Sequence, residues 1–152
     1  LTTSRQRIWA DDASFWSAAV ESNPHSWRAW RELATVHLGA GRLEEAEAAF
    51  LRALPDTPRS ERPILLNNLG IVYQQTGRLA AAETSFREAA EINPRYADPL
   101  YNLGLQCWSR ALRLESEGEG NAAAAQLDEA RRYFEAALAI DPDLATAHYG
   151  LG

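Results

Sequence analysis

Few side chains in this sequence are suited to acid–base, nucleophilic or metal chemistry. There are three histidines, His25, His37 and His148, and one cysteine, Cys107. A transition-metal site needs two or more ligands on one face, as His-x-x-x-His spacing provides on a helix, and no such pair occurs. A lone cysteine makes neither an internal disulfide nor a multi-cysteine metal site. All 15 basic residues are arginine, so Schiff-base and phosphate-loop lysine chemistry are excluded. The acidic clusters Glu44-Glu45-Glu47 and Glu115, Glu117, Glu119 read as solvated faces and a hairpin tip rather than as paired catalytic carboxylates. The expectation is a chain that is not an enzyme, with no catalytic residue, no metal and no cofactor.

The whole chain supports a binding role. Its 152 residues are 46% apolar and 24% charged, the balance of a folded domain rather than a disordered one. No stretch approaches the roughly 18 consecutive apolar residues of a spanning helix, so direct membrane insertion of this segment is not expected. A net charge of −6 has the wrong sign for a duplex-binding surface, which removes nucleic acid from the expected partners. Methionine is absent even from the first position, so the sequence is expected to be a domain excised from a larger protein.

Internal similarity gives the elements that position these residues. Trp30, Leu33-Ala34, His37, Gly41, Ala46, Phe50, Ala53 and Pro58 are followed 36 residues later by Leu66, Leu69-Gly70, Tyr73, Gly77, Ala82, Phe86, Ala89 and Pro94. A third copy opens with Leu100, Leu103-Gly104 and Cys107 and closes with Ala130, Phe134, Ala137 and Pro142. Large residues three and four apart share one helical face. Ala34, Gly70 and Gly104 permit close approach of a second helix, with Ala46, Ala82 and Ala130 as their expected partners. Gly41 and Gly77 fall where a left-handed helix cap wants glycine, and the prolines stop the second helix. His37 and Cys107 stand at the packing position of Tyr73, which predicts buried, inert side chains. The third copy has 14 additional residues between Cys107 and Ala130. Divided as seven and seven they lengthen both helices by two turns in phase, predicting a hairpin that projects by about 10 Å at roughly 1.5 Å per residue.

This small, large, small, aromatic, small, proline pattern resembles the tetratricopeptide repeat. The resemblance implies an all-α, right-handed α-solenoid of helix–turn–helix units. The expected organisation is 1–24 as a linker and the second helix of a preceding half repeat, then units at 25–60, 61–96 and 97–144, the last with its hairpin extension. Residues 145–152 would start a truncated fourth unit. Without a polar capping helix, an exposed apolar edge near Leu144, Tyr149 and Leu151 is expected, and with it possible self-association.

The resemblance also implies that the first helix of each unit lines a concave groove for a protein or peptide partner. Helical phase then names the expected contacts. They are Arg28, Arg31, Thr35 and Leu38 in the first unit; Ile64, Asn67, Asn68, Ile71 and Gln74 in the second; Asp98, Tyr101, Asn102, Leu105 and Trp108 in the third; and Tyr149 beyond. Amides among apolar anchors suit an extended peptide or a partner helix. Asp98 and Asn102 stand where the chaperone carboxylate clamps of this family carry basic residues, so that ligand is rejected. Asn68 and Asn102 match the asparagine ladder of O-GlcNAc transferase, which Glu32 and Gly150 interrupt here. The opening Arg5, Arg7, Trp9, Asp12, Phe15, Trp16 and Asn23-Pro24 is similar to the segment joining the last membrane helix to the repeats in transmembrane and TPR-containing O-mannosyltransferases. That similarity implies a substrate-presenting, extracytoplasmic tail of a bacterial membrane protein. The alternative is a soluble cytoplasmic adaptor or assembly scaffold.

Overall fold

A computed structural model describes residues 2–144, with side chains described for Trp9 and residues 11–144. The described residues form helices α1 (Thr2–Ser22), α2 (Trp27–Gly39), α3 (Leu43–Ala53), α4 (Arg62–Gln75), α5 (Leu79–Ile92), α6 (Ala97–Ser116) and α7 (Gly120–Ile140). They include no strand. Helices adjacent in sequence pack on one another along the whole array, giving an all-α solenoid of hairpins.

One contact sets the spacing inside the hairpins. A Cβ placed on Gly70 would lie 2.5 Å from the Phe86 ring, and one on Gly104 would lie 2.6 Å from the Phe134 ring. The rings therefore occupy the volume a side chain would fill, and the two helix backbones come close. Ala34 holds the equivalent place in the α2/α3 hairpin, within one buried cluster that includes Phe50, Ala46 and Leu69. Phe50, Phe86, Ala82 and Ala46 are wholly buried.

The turns repeat as closely as the cores. Gly41, Gly77 and Gly118 have φ of 73°, 77° and 81°, the left-handed conformation that a side chain would strain. The residue after each glycine donates its N–H five residues back, Arg42 to His37, Arg78 to Tyr73 and Glu119 to Leu114, at 2.8–2.9 Å. This is the six-to-one bond of a Schellman cap. Gly118 lies seven residues later, relative to Cys107, than Gly77 lies relative to Tyr73, and Ala130 is displaced by a further seven. Both helices of the last hairpin are thus longer, at 20 and 21 residues against 14 and 14 for α4 and α5.

Two expectations are corrected. Pro58 does not end α3; Pro55 does. Lacking an N–H, Pro55 cannot continue the α-helical ladder, and Leu54–Asp56 form a 3-10 turn. Buried Thr57 completes that turn by donating its hydroxyl to the Ala53 carbonyl at 2.7 Å. Leu144, expected on an exposed edge, is buried in a cluster with Ala97, Tyr101 and Ala137. Tyr149 and Leu151 lie outside the described residues.

The Gly70–Phe86 contact generates a stability prediction. Gly70→Ala introduces overpacking of about 1–3 kcal/mol, only partly offset by a helix-propensity gain of up to about 1 kcal/mol. Its thermal midpoint is expected below wild type, and Gly70→Ala/Phe86→Leu is expected to recover part of the loss. Calorimetry on the three proteins checks this; an unchanged midpoint for the single variant refutes it.

Candidate functional site

Helix α4, helix α6 and the turn leading into α6 enclose a groove of about 560 Å³. It collects Asn67, Asn68, Ile71, Gln74, Asp98, Tyr101, Asn102 and Leu105 from the expected contacts and adds Gln75 and Tyr96. Carboxamides and apolar surfaces alternate along it because each helix presents positions three and four apart on one side.

Its floor is a fixed polar network. The Asn102 amide donates to Asn67 Oδ1 at 2.9 Å across the boundary between hairpins. The Tyr96 hydroxyl hydrogen-bonds to Asp98 and to Asn67. The Asp98 carboxylate raises the phenol and the Asn67 amide lowers it, which fits the tyrosine proton going to the carboxylate and Asn67 donating to Tyr96 Oη. Burial pushes the Tyr96 phenol far above its ordinary value, and the adjacent Asp98 carboxylate adds to that, so Tyr96 remains a donor at physiological pH. Asn67 is only 3% exposed and Tyr101 is 4% exposed. These two form the floor, whereas half-buried Asn68, Ile71, Gln74, Asn102 and Leu105 form the accessible lining.

The other expected contacts lie apart from this groove. Arg31 donates to Glu32 at 3.0 Å and lies 3.7 Å from Glu61. Arg28 and Arg31 both stack over the Trp27 ring, at 4.5 and 5.4 Å from its centroid. This cluster gives the guanidinium of Arg31 partners within the chain. Thr35 donates to the carbonyl of Arg31 at 2.9 Å. Leu38 packs against the first core cluster. Ile64 and Trp108 are exposed beyond the two ends of the groove lining. Tyr149 lies outside the described residues.

Sequence reasoning missed Trp27, Tyr96 and Gln75. Trp27 opens α2 and Tyr96 immediately precedes α6, positions where helical phase is not yet established. Glu47 was also misjudged as purely solvated. Arg78 of the next hairpin grips its carboxylate with both guanidinium nitrogens, one at 2.8 Å, and lies 4.5 Å from the Tyr73 ring centroid. The hydrogen bond from Arg78 holds the Glu47 carboxyl below its usual range.

Neither Cys107 nor His37 lines this groove. Cys107 is buried and its thiol is pushed up chiefly by burial, with Glu129 adding to the effect, which disfavours the thiolate nucleophile. His37 keeps a buried, unpartnered Nδ1. Burial lowers its imidazole below the ordinary 6.5, helped by Arg42 and opposed by Glu45. Among the described residues no three His, Cys, Asp or Glu side chains gather where they could hold a metal ion. No helix among them is long and apolar enough to cross a membrane.

Family models described as tetratricopeptide repeat match residues 27–95 and 123–144. No curated protein matches the chain by sequence. Among solved structures, the fold resembles the crystal structure of MamA with a TM-score of 0.62 at 17% identity, over 93% of each chain. It also resembles YrrB, described as a TPR protein with an unusual peptide-binding site, with a TM-score of 0.60 at 18% identity, over 97% of this chain and 85% of that one. At such identities the likeness establishes the fold. Neither family match reaches residues 1–24, the stretch on which the O-mannosyltransferase resemblance rests.

Two predictions follow from the buried polar groups. Asn67→Ala leaves Asn102 and Tyr96 each short of a partner and is expected to cost about 1–3 kcal/mol in chemical denaturation, more than Asn68→Ala. Equal costs would remove the network from its structural role. For His37, the unfolded chain binds the proton more readily than the folded one, so stability declines as pH falls through 6.5 toward the lower folded value. His37→Tyr is expected to flatten that part of the stability–pH curve; an identical slope in both proteins contradicts the assignment.

Proposed function

The chain belongs to the tetratricopeptide-repeat proteins, and from that premise we propose that the groove between α4 and α6 binds an extended segment of a partner protein. Units 25–60, 61–96 and 97–144 are the repeats in this proposal, entered through 1–24. One observation carries it: the carboxamides of Asn68, Gln74, Gln75 and Asn102 share a groove of about 560 Å³ with the apolar side chains of Ile71 and Leu105. An extended backbone presents N–H and C=O groups in alternation, and a primary carboxamide gives and accepts a hydrogen bond at once. Apolar side chains between the amides supply the burial that holds a ligand in water. YrrB, a fold neighbour, has a peptide-binding site according to its description, which supports the same class of ligand.

Charge also selects the ligand. Asp98 lies at the wall of the groove beside Tyr96, and among the described residues no arginine lines it. A free carboxylate would approach that acid in a lining that holds no arginine among the described residues, whereas a neutral backbone or a basic side chain carries no like charge to it. The partner segment is therefore internal rather than a C-terminal carboxylate. This is binding work of the scaffold type for which these repeats are generally used, and no catalytic step enters it.

Panning a displayed library of linear peptides on the purified protein tests the proposal. Selected peptides are expected to lose affinity by about tenfold or more, roughly 1.4 kcal/mol, on Asn68→Ala and on Leu105→Ser. They are expected to bind Arg132→Ala, on the exposed side of α7, as tightly as wild type. Peptides indifferent to both groove variants would sink the assignment.

A further inference from the structure

A second, smaller cavity of about 170 Å³ lies where the longer α6 runs past the end of α4, over the α4/α5 turn. Its lining is Gln74, Leu79, Gln106, Ser109, Arg110 and Arg113. Gln74 also lines the larger groove, so the two spaces adjoin through one side chain. The last two turns of α6 exist only because the third hairpin is lengthened; a unit of the length of α4 would end before Arg113.

Gln106 distinguishes this cavity from an ordinary surface dent. It is 7% exposed, and both Oε1 and Nε2 are buried without a hydrogen-bond partner. A buried amide with both functions unsatisfied is uncommon in native proteins and calls for an explanation. At the equivalent place in the preceding unit stands Val72, wholly buried, so packing at this position is met by an aliphatic residue. The terminal torsion of glutamine is soft and broad, so the amide of this lining residue can reorient to suit a ligand.

Both arginines beside it already have acidic neighbours, Glu83 being shared between Arg110 and Arg87. Arg110 donates to Glu83 at 3.2 Å and to Gln126 at 3.3 Å, and Arg113 lies 3.8 Å from Glu117. A carboxylate ligand would satisfy Nε2 but face Oε1, a like acceptor. A cation would satisfy Oε1 but meet the two arginines. A primary carboxamide satisfies both atoms together, because its C=O and one N–H lie side by side and pair reciprocally with those of Gln106. A trans secondary amide points those groups in opposite directions and can reach only one of the two. Leu79, half exposed, offers an apolar wall for the methylenes that carry such a group.

We propose that this cavity is a subsite for a primary carboxamide, the side chain of an asparagine or glutamine, reading one residue of the partner segment that lies in the adjoining groove. The subsite rests on the peptide-binding proposal for its biological ligand, and its chemistry can be tested without any peptide. Nitrogen–proton correlation spectra of the whole chain are recorded during titration with propionamide, propionate or N-methylacetamide, the Gln106 side-chain signals being assigned by their loss in Gln106→Leu. Propionamide is expected to shift the Gln106 amide pair and the Leu79 backbone signal to saturation, the other two probes to leave them without saturation. Gln106→Leu should lose the Leu79 response while unfolding at a temperature no lower than wild type.

An unmoved Gln106 pair overturns the proposal, as does an equal response to propionate or to N-methylacetamide, the mimic of a backbone amide. The wild-type comparison of the three probes decides even if Gln106→Leu does not fold. Peptides from the library then separate the two assignments. Peptides that need Asn68 and Leu105 but bind Gln106→Leu unchanged overturn the subsite and leave the groove intact. Saturation by propionamide with no peptide dependent on the groove supports the subsite and removes the groove.

Discussion

The constraint on which this structure depends is the absence of a Cβ beneath a phenylalanine ring. At Gly70 and Gly104 the ring of the facing helix lies where a methyl group would be, so the α4/α5 and α6/α7 hairpins close to a fixed separation. Because the same contact recurs at the same place in successive units, the hairpins have matching shapes and stack in register. Each unit alone leaves an apolar side uncovered, and the next unit covers it: Leu65, Leu69 and Val72 of α4 join the cluster that holds Phe50 and Ala53 of α3. Stability in such an array is therefore shared between a closed hairpin and its neighbour.

Polar cross-ties act on top of that packing and give the stacking direction. Arg78 reaches back to Glu47, and Arg110 reaches back to Glu83, each from one unit to the second helix of the unit before. Both pairs are partly exposed, so their energetic contribution is modest and their geometric contribution is the larger. The Asn102–Asn67 bond differs because Asn67 is buried. Losing Asn102 strips the buried Asn67 Oδ1 of this partner where water has little access, which makes this pair a stricter register mark than the ion pairs.

Much of this was legible because helical phase and residue size are local properties. Leu33, Leu69 and Leu103, the small residues opposite the phenylalanines and the cap glycines at 41 and 77 all follow from spacing, and they are buried or turned accordingly. The groove was legible only as a list of helix faces. Spacing places Arg31 and Asn67 on a face but says nothing about Glu61 or Tyr96, which come from other elements and bind them there. For the same reason it could not separate Asn67, a floor residue, from Asn68, an accessible one, although they are adjacent. Pro55 lies outside the repeat pattern, which places its proline at 58, yet the backbone responds to whichever proline comes first.

The lengthened third hairpin shows how a repeat changes its surface without changing its core. An insertion divided as seven and seven residues adds nearly two full turns to each helix, so the faces already in contact remain in contact. Gly118 repeats the cap geometry of Gly41 and Gly77 at the new tip, and Ala111 and Ala123 continue the close, small-residue packing into the added turns. The inner core of the unit is then unaffected, since Leu103, Gly104 and Phe134 keep their places. What is new lies outside it: Arg110 gains Gln126 and Glu83 as partners, and a cavity opens over the preceding turn beside the groove. The added turns therefore enlarge the surface on one side of the array while leaving the stacking that supports it untouched.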